Sequence, residues 1–94
     1  MVDWIFFNPS TRERVVNAND ALVFRWTGHH DVYLMESEDK FNNCDFTGAT
    51  LIGYVSPTTY TVWQFPAYFG CSVPGHCQDG MKLKVTKSKS RVYY

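Results

Sequence analysis

Period-two alternation, repeatedly cut by turn pairs, is the feature that most narrows what this chain can become. Residues 21 to 26, Ala-Leu-Val-Phe-Arg-Trp, put Leu22, Phe24 and Trp26 on one face and Val23 and Arg25 on the other. Residues 30 to 35 repeat the logic: His30, Val32 and Leu34 share one parity, and His29, Asp31, Tyr33 and Met35 the other. Further strands are expected over Trp4 to Phe7, Glu13 to Val16, Leu51 to Val55, Tyr60 to Phe65, Tyr68 to Cys71 and Lys82 to Thr86. Asn19-Asp20, Thr27-Gly28, Thr47-Gly48, Ser56-Pro57, Phe65-Pro66 and Pro74-Gly75 punctuate them. No long window has helical periodicity, and only the polar stretch Glu36 to Cys44 is expected to curl into a short helix. Short strands with frequent turns predict an all-β, antiparallel sandwich with at most one short helix.

At 94 residues the chain has material for one core, so residues 1–94 are expected to form a single domain with 88–94 as a tail. Aromatic residues make up 17% of it, enough to fill such a core, and Trp26 and Trp63 are both expected inside. Nine basic residues balance nine acidic ones, which removes the long-range field that attracts nucleic acid. Lys82, Lys84, Lys87, Lys89 and Arg91 crowd the end of the chain. Alternation at 82 and 84 predicts a solvated strand face there, with a weak docking patch for an acidic partner as the other reading. No stretch approaches the roughly 18 apolar residues of a membrane span. Met-Val-Asp-Trp lacks the features of a signal peptide, so the chain is expected to be cytosolic or to have lost a targeting segment.

The chemistry concentrates in residues 71 to 81, CSVPGHCQDGM. Cys71, His76 and Met81 recur every five residues, a spacing that a loop folding back between two strands could aim at one point. Thiolate, imidazole and thioether are ligands that suit copper, and one more imidazole would complete a trigonal His₂Cys set with a weak axial Met. Parity selects His30 for that place over His29, because His30 points the way Val32 and Leu34 point. With Cys71 on a metal, Cys44 and Cys77 remain as a natural pair, which resolves the odd cysteine count. A disulfide there favours an oxidising compartment.

The strings RWTGHHDVYLM, FNNCDFTG and YFGCSVPGHCQDGMKLKV resemble the phytocyanins, the plant-type blue copper proteins, and most of all their plantacyanin branch. The resemblance runs from RVVNANDALVFRW to MKLKV and implies a Greek-key cupredoxin sandwich. It implies copper ligands His30, Cys71, His76 and Met81, a Cys44–Cys77 disulfide, and one-electron transfer between Cu(II) and Cu(I). Met81, where the stellacyanin branch carries Gln, implies a higher potential than in that branch. Two departures stand out. Asp31 occupies the place of an Asn that in cupredoxins knits the ligand loops together; since an ionised carboxylate cannot donate, Asp31 is expected either to loosen that link or to be held protonated beside the metal. The Tyr-Tyr end after Arg91 has no counterpart.

His76, following Pro74-Gly75, is expected at the surface as the electron port. Phe65, Tyr68, Val73 and Pro74 would form an apolar patch around it for a redox partner protein or a small-molecule reductant, serving a monomeric carrier. An enzyme is not expected, because three histidines leave no ligands for a second copper centre and four protein ligands close the first. The competing chemistries are a zinc site from Cys44, Cys71, His76 and Cys77, a Cys71 nucleophile with His76 as base, copper storage or delivery, and a cell-surface recognition or copper-binding module without a redox role. A secreted or cell-surface location is expected, with the thylakoid lumen as the alternative.

Overall fold

The computed structural model describes residues 2–88. Eight strands among them form two sheets. The smaller has the order β1-β3-β6, from Val2–Asp3, Ala21–Arg25 and Thr58–Thr61. The larger runs β2-β8-β7-β4-β5, from Glu13–Val16, Lys82–Lys87, Ala67–Gly70, Val32–Met35 and Thr50–Gly53. The sandwich is not wholly antiparallel: β1 lies parallel to β3 and β2 parallel to β8. The remaining pairings are antiparallel.

The alternation read in residues 21 to 26 holds where it meets the core. Leu22 and Phe24 are buried, and Trp26, just past the end of β3, packs partly against the same cluster. Val32, Phe69, Leu83 and Val85 close the cluster from the larger sheet. Trp63 departs from expectation at 65% exposure. Val62 pairs with Asp20 through its N–H and turns into the core, so the next residue falls on the opposite side, outside the main core cluster.

Strand β7 is buried along its length because both of its faces are covered. Ala67 and Phe69 enter the main core, whereas Tyr68 joins Met35 and Phe41 in a second cluster. Gly70 permits the close layer on that second side, since a Cβ there would stand 2.8 Å from the Met35 sulfur. Tyr68 is therefore core rather than part of a surface patch.

Phe41 belongs to the one α-helix among the described residues, α1 (Glu38–Asn43), which lies within the stretch expected to curl. Ser37 caps it by accepting from the Lys40 N–H, Glu38 and Asp39 sit in its first turn, and Cys44 ends it in the left-handed conformation. Lys82, expected on a solvated face, is only 9% exposed. Its ammonium donates to the Phe41 and Asn42 carbonyls at 3.1 and 3.4 Å and lies over the Phe41 ring, so the carbonyls at the helix end draw it inward.

Residues 4 to 7 form no strand. Trp4 continues alongside β3 by donating its N–H to Arg25 O, and the chain then crosses the end of the sandwich, where the Phe7 N–H donates to Gly80 O at 3.0 Å. At the other terminus Ser88 still bonds to Val16 O, and the rest of the expected tail lies outside the described residues.

Candidate metal centre

Two loops at one end of the sandwich carry the candidate ligands. His30 lies between β3 and β4, while Cys71, His76 and Met81 span the connection from β7 to β8. The second loop is closed at its base by Cys71 N–H to Met81 O at 3.1 Å, and folded onto itself by Met81 N–H to His76 O at 2.9 Å. A spacing of five residues, too long for one strand face, is thereby compressed to one end of the molecule.

The donor atoms of His30, Cys71 and His76 all lie within 4.8 Å of one another. The two imidazoles face each other through Nδ1 at 3.0 Å, and the Cys71 Sγ stands 3.6 Å from His76 Nδ1 and 3.9 Å from His30 Nδ1. Three donors about 2.0–2.3 Å from one ion, spread over a trigonal plane, stand ~3.5–3.8 Å apart. The Cys71–His76 distance falls within that span and the Cys71–His30 distance, 3.9 Å, lies just above it, while the imidazoles need only a small parting. Met81 is 1% exposed and lines, with His30, Phe6 and Trp26, a groove of about 580 Å³ beside the cluster. His29 is exposed and outside the group, as its parity required.

Burial pushes the Cys71 thiol pKa up, while N–H bonds from Asp31 and Val73 to the sulfur pull it back. Burial also lowers the His30 pKa, with the neighbouring His76 and His29 acting in the same direction. The site thus keeps an imidazole neutral and a thiol protonated until a cation supplies the charge that thiolate formation requires, which is how a soft metal site behaves. A raised thiol pKa is the opposite of what an activated nucleophile needs. The three-thiolate zinc set fails too, because Cys44 and Cys77 are joined by an S–S bond of 2.05 Å. Soft donors of this type suit copper.

Asp31 does not loosen the loops. Its two carboxyl oxygens accept from the Ser72 N–H at 2.6 Å and the Ser72 Oγ–H at 2.5 Å, tying the residue after His30 to the residue after Cys71. Both donors belong to Ser72, so an acceptor-only carboxylate suits the link. The backbone N–H of Asp31 favours the thiolate, while the Asp31 side chain acts the other way and helps to push the thiol pKa up. Of the residues expected around His76, Pro74 is exposed, and Phe65 and Val73 are partly buried against the core.

Three contributors went unmarked in the sequence reading. Ser72 supplies both donors to Asp31. Trp4 donates from Nε1 to Asp31 O at 2.8 Å, pinning the first ligand loop from a segment distant in sequence. Phe6 lays its ring against both imidazoles. Ser72 is signalled only by following Cys71, and Trp4 and Phe6 by nothing local.

A family model described as a plastocyanin-like domain matches residues 3–81. The chain is similar to chemocyanin from Lilium longiflorum, 31% identical over 74 residues that cover 78% of this chain and 58% of that protein. It thus spans less than two thirds of that relative's length. Basic blue protein from Cucumis sativus is 25% identical over 83 residues, covering 87% of this chain and 86% of that protein. Among solved structures, spinach plantacyanin superposes with a TM-score of 0.76 at 28% identity, covering 92% of this chain and 94% of the other. Cucumber basic protein, a blue copper protein, does so at 0.75 and 29% identity, covering 92% and 91%.

Proposed function

The chain belongs to the plastocyanin-like domain family, as a phytocyanin of the cupredoxin superfamily, and on that premise we propose that it is a one-electron carrier with a single type 1 copper held by His30, Cys71, His76 and Met81. The observation that carries this reading is the convergence of two imidazole Nδ1 atoms and one buried sulfur from two separate loops. Copper bound there supplies a reversible Cu(II)/Cu(I) couple.

The chain's own residues do the rest. The N–H groups of Asp31 and Val73 donate to the Cys71 sulfur and spread the charge of its thiolate. The Asp31–Ser72 link and the Cys71–Met81 backbone bond fix the loops relative to each other, so little has to move when an electron arrives. Met81 would add a weakly binding thioether from the buried edge of the core. Four protein ligands leave no position open for a substrate, which makes the protein a carrier and not an enzyme. A redox partner or small reductant docks at the end where His76 and Phe6 meet the surface.

The Cys44–Cys77 bond favours an oxidising compartment, in keeping with an extracellular or cell-surface site of action. No helix among the described residues is long and apolar enough to cross a membrane. The test is a visible and paramagnetic-resonance spectrum after one equivalent of Cu(II), repeated after ascorbate. An intense thiolate-to-copper band that bleaches on reduction and returns on oxidation is expected. A pale, ordinary Cu(II) spectrum would exclude Cys71 as a ligand and end the proposal.

A further inference from the structure

Phe6 has no part in the ligand set, the core or the disulfide, yet its position is tightly determined. Its ring centroid lies 5.2 Å from that of His76 and 6.1 Å from that of His30, at interplanar angles of 75° and 80°. These edge-to-face contacts are attractive for aromatic rings. The residues flanking it are pinned to both ligand loops. Trp4, 1% exposed, donates from its ring to Asp31 O beside His30, and Phe7 N–H donates to Gly80 O beside Met81. The Arg12 Nε–H then holds the Phe7 carbonyl at 3.2 Å. Gly80, at φ +114°, is what lets the two segments meet, because a Cβ there would collide with the Phe7 carbonyl. The stretch from Trp4 to Phe7 is a strap across the metal end, and Phe6 is the side chain it delivers. Phe6 remains 48% exposed, with its ring against the imidazoles on one side.

We propose that Phe6 is a positioning residue and water screen for the copper site: the strap holds its ring across His30 and His76, where it fixes the imidazole planes and keeps solvent off them. The inference rests on the copper reading above. With the Cys71 thiolate included, the oxidised metal and thiolate together carry one positive charge and the reduced pair none. Water near the imidazoles stabilises the more highly charged state, so excluding it favours the reduced one. The ring also packs against both histidines, so its removal would leave them more open to a competing chelator.

The test uses copper-loaded parent, Phe6→Ala and Phe6→Leu, with potentials read against a mediator and copper loss read by extraction with a chelator. At the poise where the parent is half reduced, Phe6→Ala is expected to be about threefold more oxidised than reduced, and to lose copper about tenfold faster. Phe6→Leu, which keeps apolar cover, should retain most of both properties. In the copper-free proteins, ring-proton NMR shifts of His30 and His76 should lose the aromatic ring-current displacement in both variants. Melting of the copper-free variants should stay close to that of the parent, since the side chain is half exposed. Parent-like potential and extraction in a blue Phe6→Ala variant would overturn this inference alone. So would a Leu variant as impaired as the Ala one. A parent that never turns blue would overturn the copper reading and this inference with it.

Discussion

His76 and Cys77 are neighbours on one loop and serve opposite sides of the molecule. His76 turns outward to the Cys71 sulfur and the His30 ring, and stays partly open to solvent. Cys77 turns inward, 1% exposed, to bond Cys44 at the end of α1. The metal side is built from polar and soft groups held by hydrogen bonds between loops. The helix side is built from Phe41, Tyr68 and Met35 packed together, a buried ammonium and a covalent bond. One short loop thus carries a site whose chemistry must remain accessible and an anchor whose role is only to hold. The separation teaches that the anchor can be altered without altering the metal end.

The largest effect expected on the helix side comes from removing the disulfide. Its partners are 33 residues apart, and in the chain-entropy model losing such a closure costs about 3–4 kcal/mol. Cys44→Ala with Cys77→Ala should therefore lower the denaturant midpoint strongly while the folded fraction still binds copper as a blue site. A folded but colourless double variant would break the comparison.

On the metal side, Asp31→Ala removes both acceptors for Ser72, at about 2 kcal/mol for bonds to a charged group. Here the spectrum should change as well as the stability. Asp31→Asn keeps an acceptor for the Ser72 N–H and removes a negative charge beside the thiolate, so its reduction potential should rise. An unchanged potential and spectrum would show that Asp31 holds the loops without tuning the metal.

Lys82→Met leaves the Phe41 and Asn42 carbonyls without their cation, and should cost about 1–2 kcal/mol of unfolding free energy with the blue band intact. The smallest effect belongs to Tyr68. Burial, and then the nearby Glu38 charge, raise its pKa above the usual tyrosine value. Because the folded state holds that proton more tightly, the associated stability is whole below the ordinary tyrosine pKa and is lost as pH climbs through the raised one. Tyr68→Phe should change stability at neutral pH by less than about 1 kcal/mol and flatten the alkaline decline. An identical alkaline decline in chemical denaturation would remove Tyr68 from the account.

The two sides also differ in how well the sequence discloses them. The ligand loop is legible because its residue types are uncommon and chemically specific, and because parity distinguishes His30 from His29 without a structure. The sandwich is legible from Leu22, Phe24 and Val32, whose alternation faces a real core. Lys82 departs from the alternation rule, which assumes that one face of a strand meets water. Here that face meets the end of a helix, which only the three-dimensional path of residues 38 to 43 supplies. Trp63 and Tyr68 exchanged their expected places for a related reason, since parity says which residues share a face but not which face has a layer over it. The apolar residues of the Trp4-to-Phe7 strap suit a strand, which is what their pattern predicts. Only Trp4 keeps beside β3, while Phe7 bonds to a loop some 70 residues away in sequence, to which local pattern is blind.

The most direct measurement is the visible spectrum of the copper-loaded Cys44→Ala, Cys77→Ala protein beside that of Cys71→Ser, both taken cold enough for each to be folded. The account predicts that the disulfide-free protein is blue and that Cys71→Ser, with its loop otherwise intact, is colourless. A blue Cys71→Ser protein would contradict it, as would a folded disulfide-free protein that takes up copper without the thiolate band.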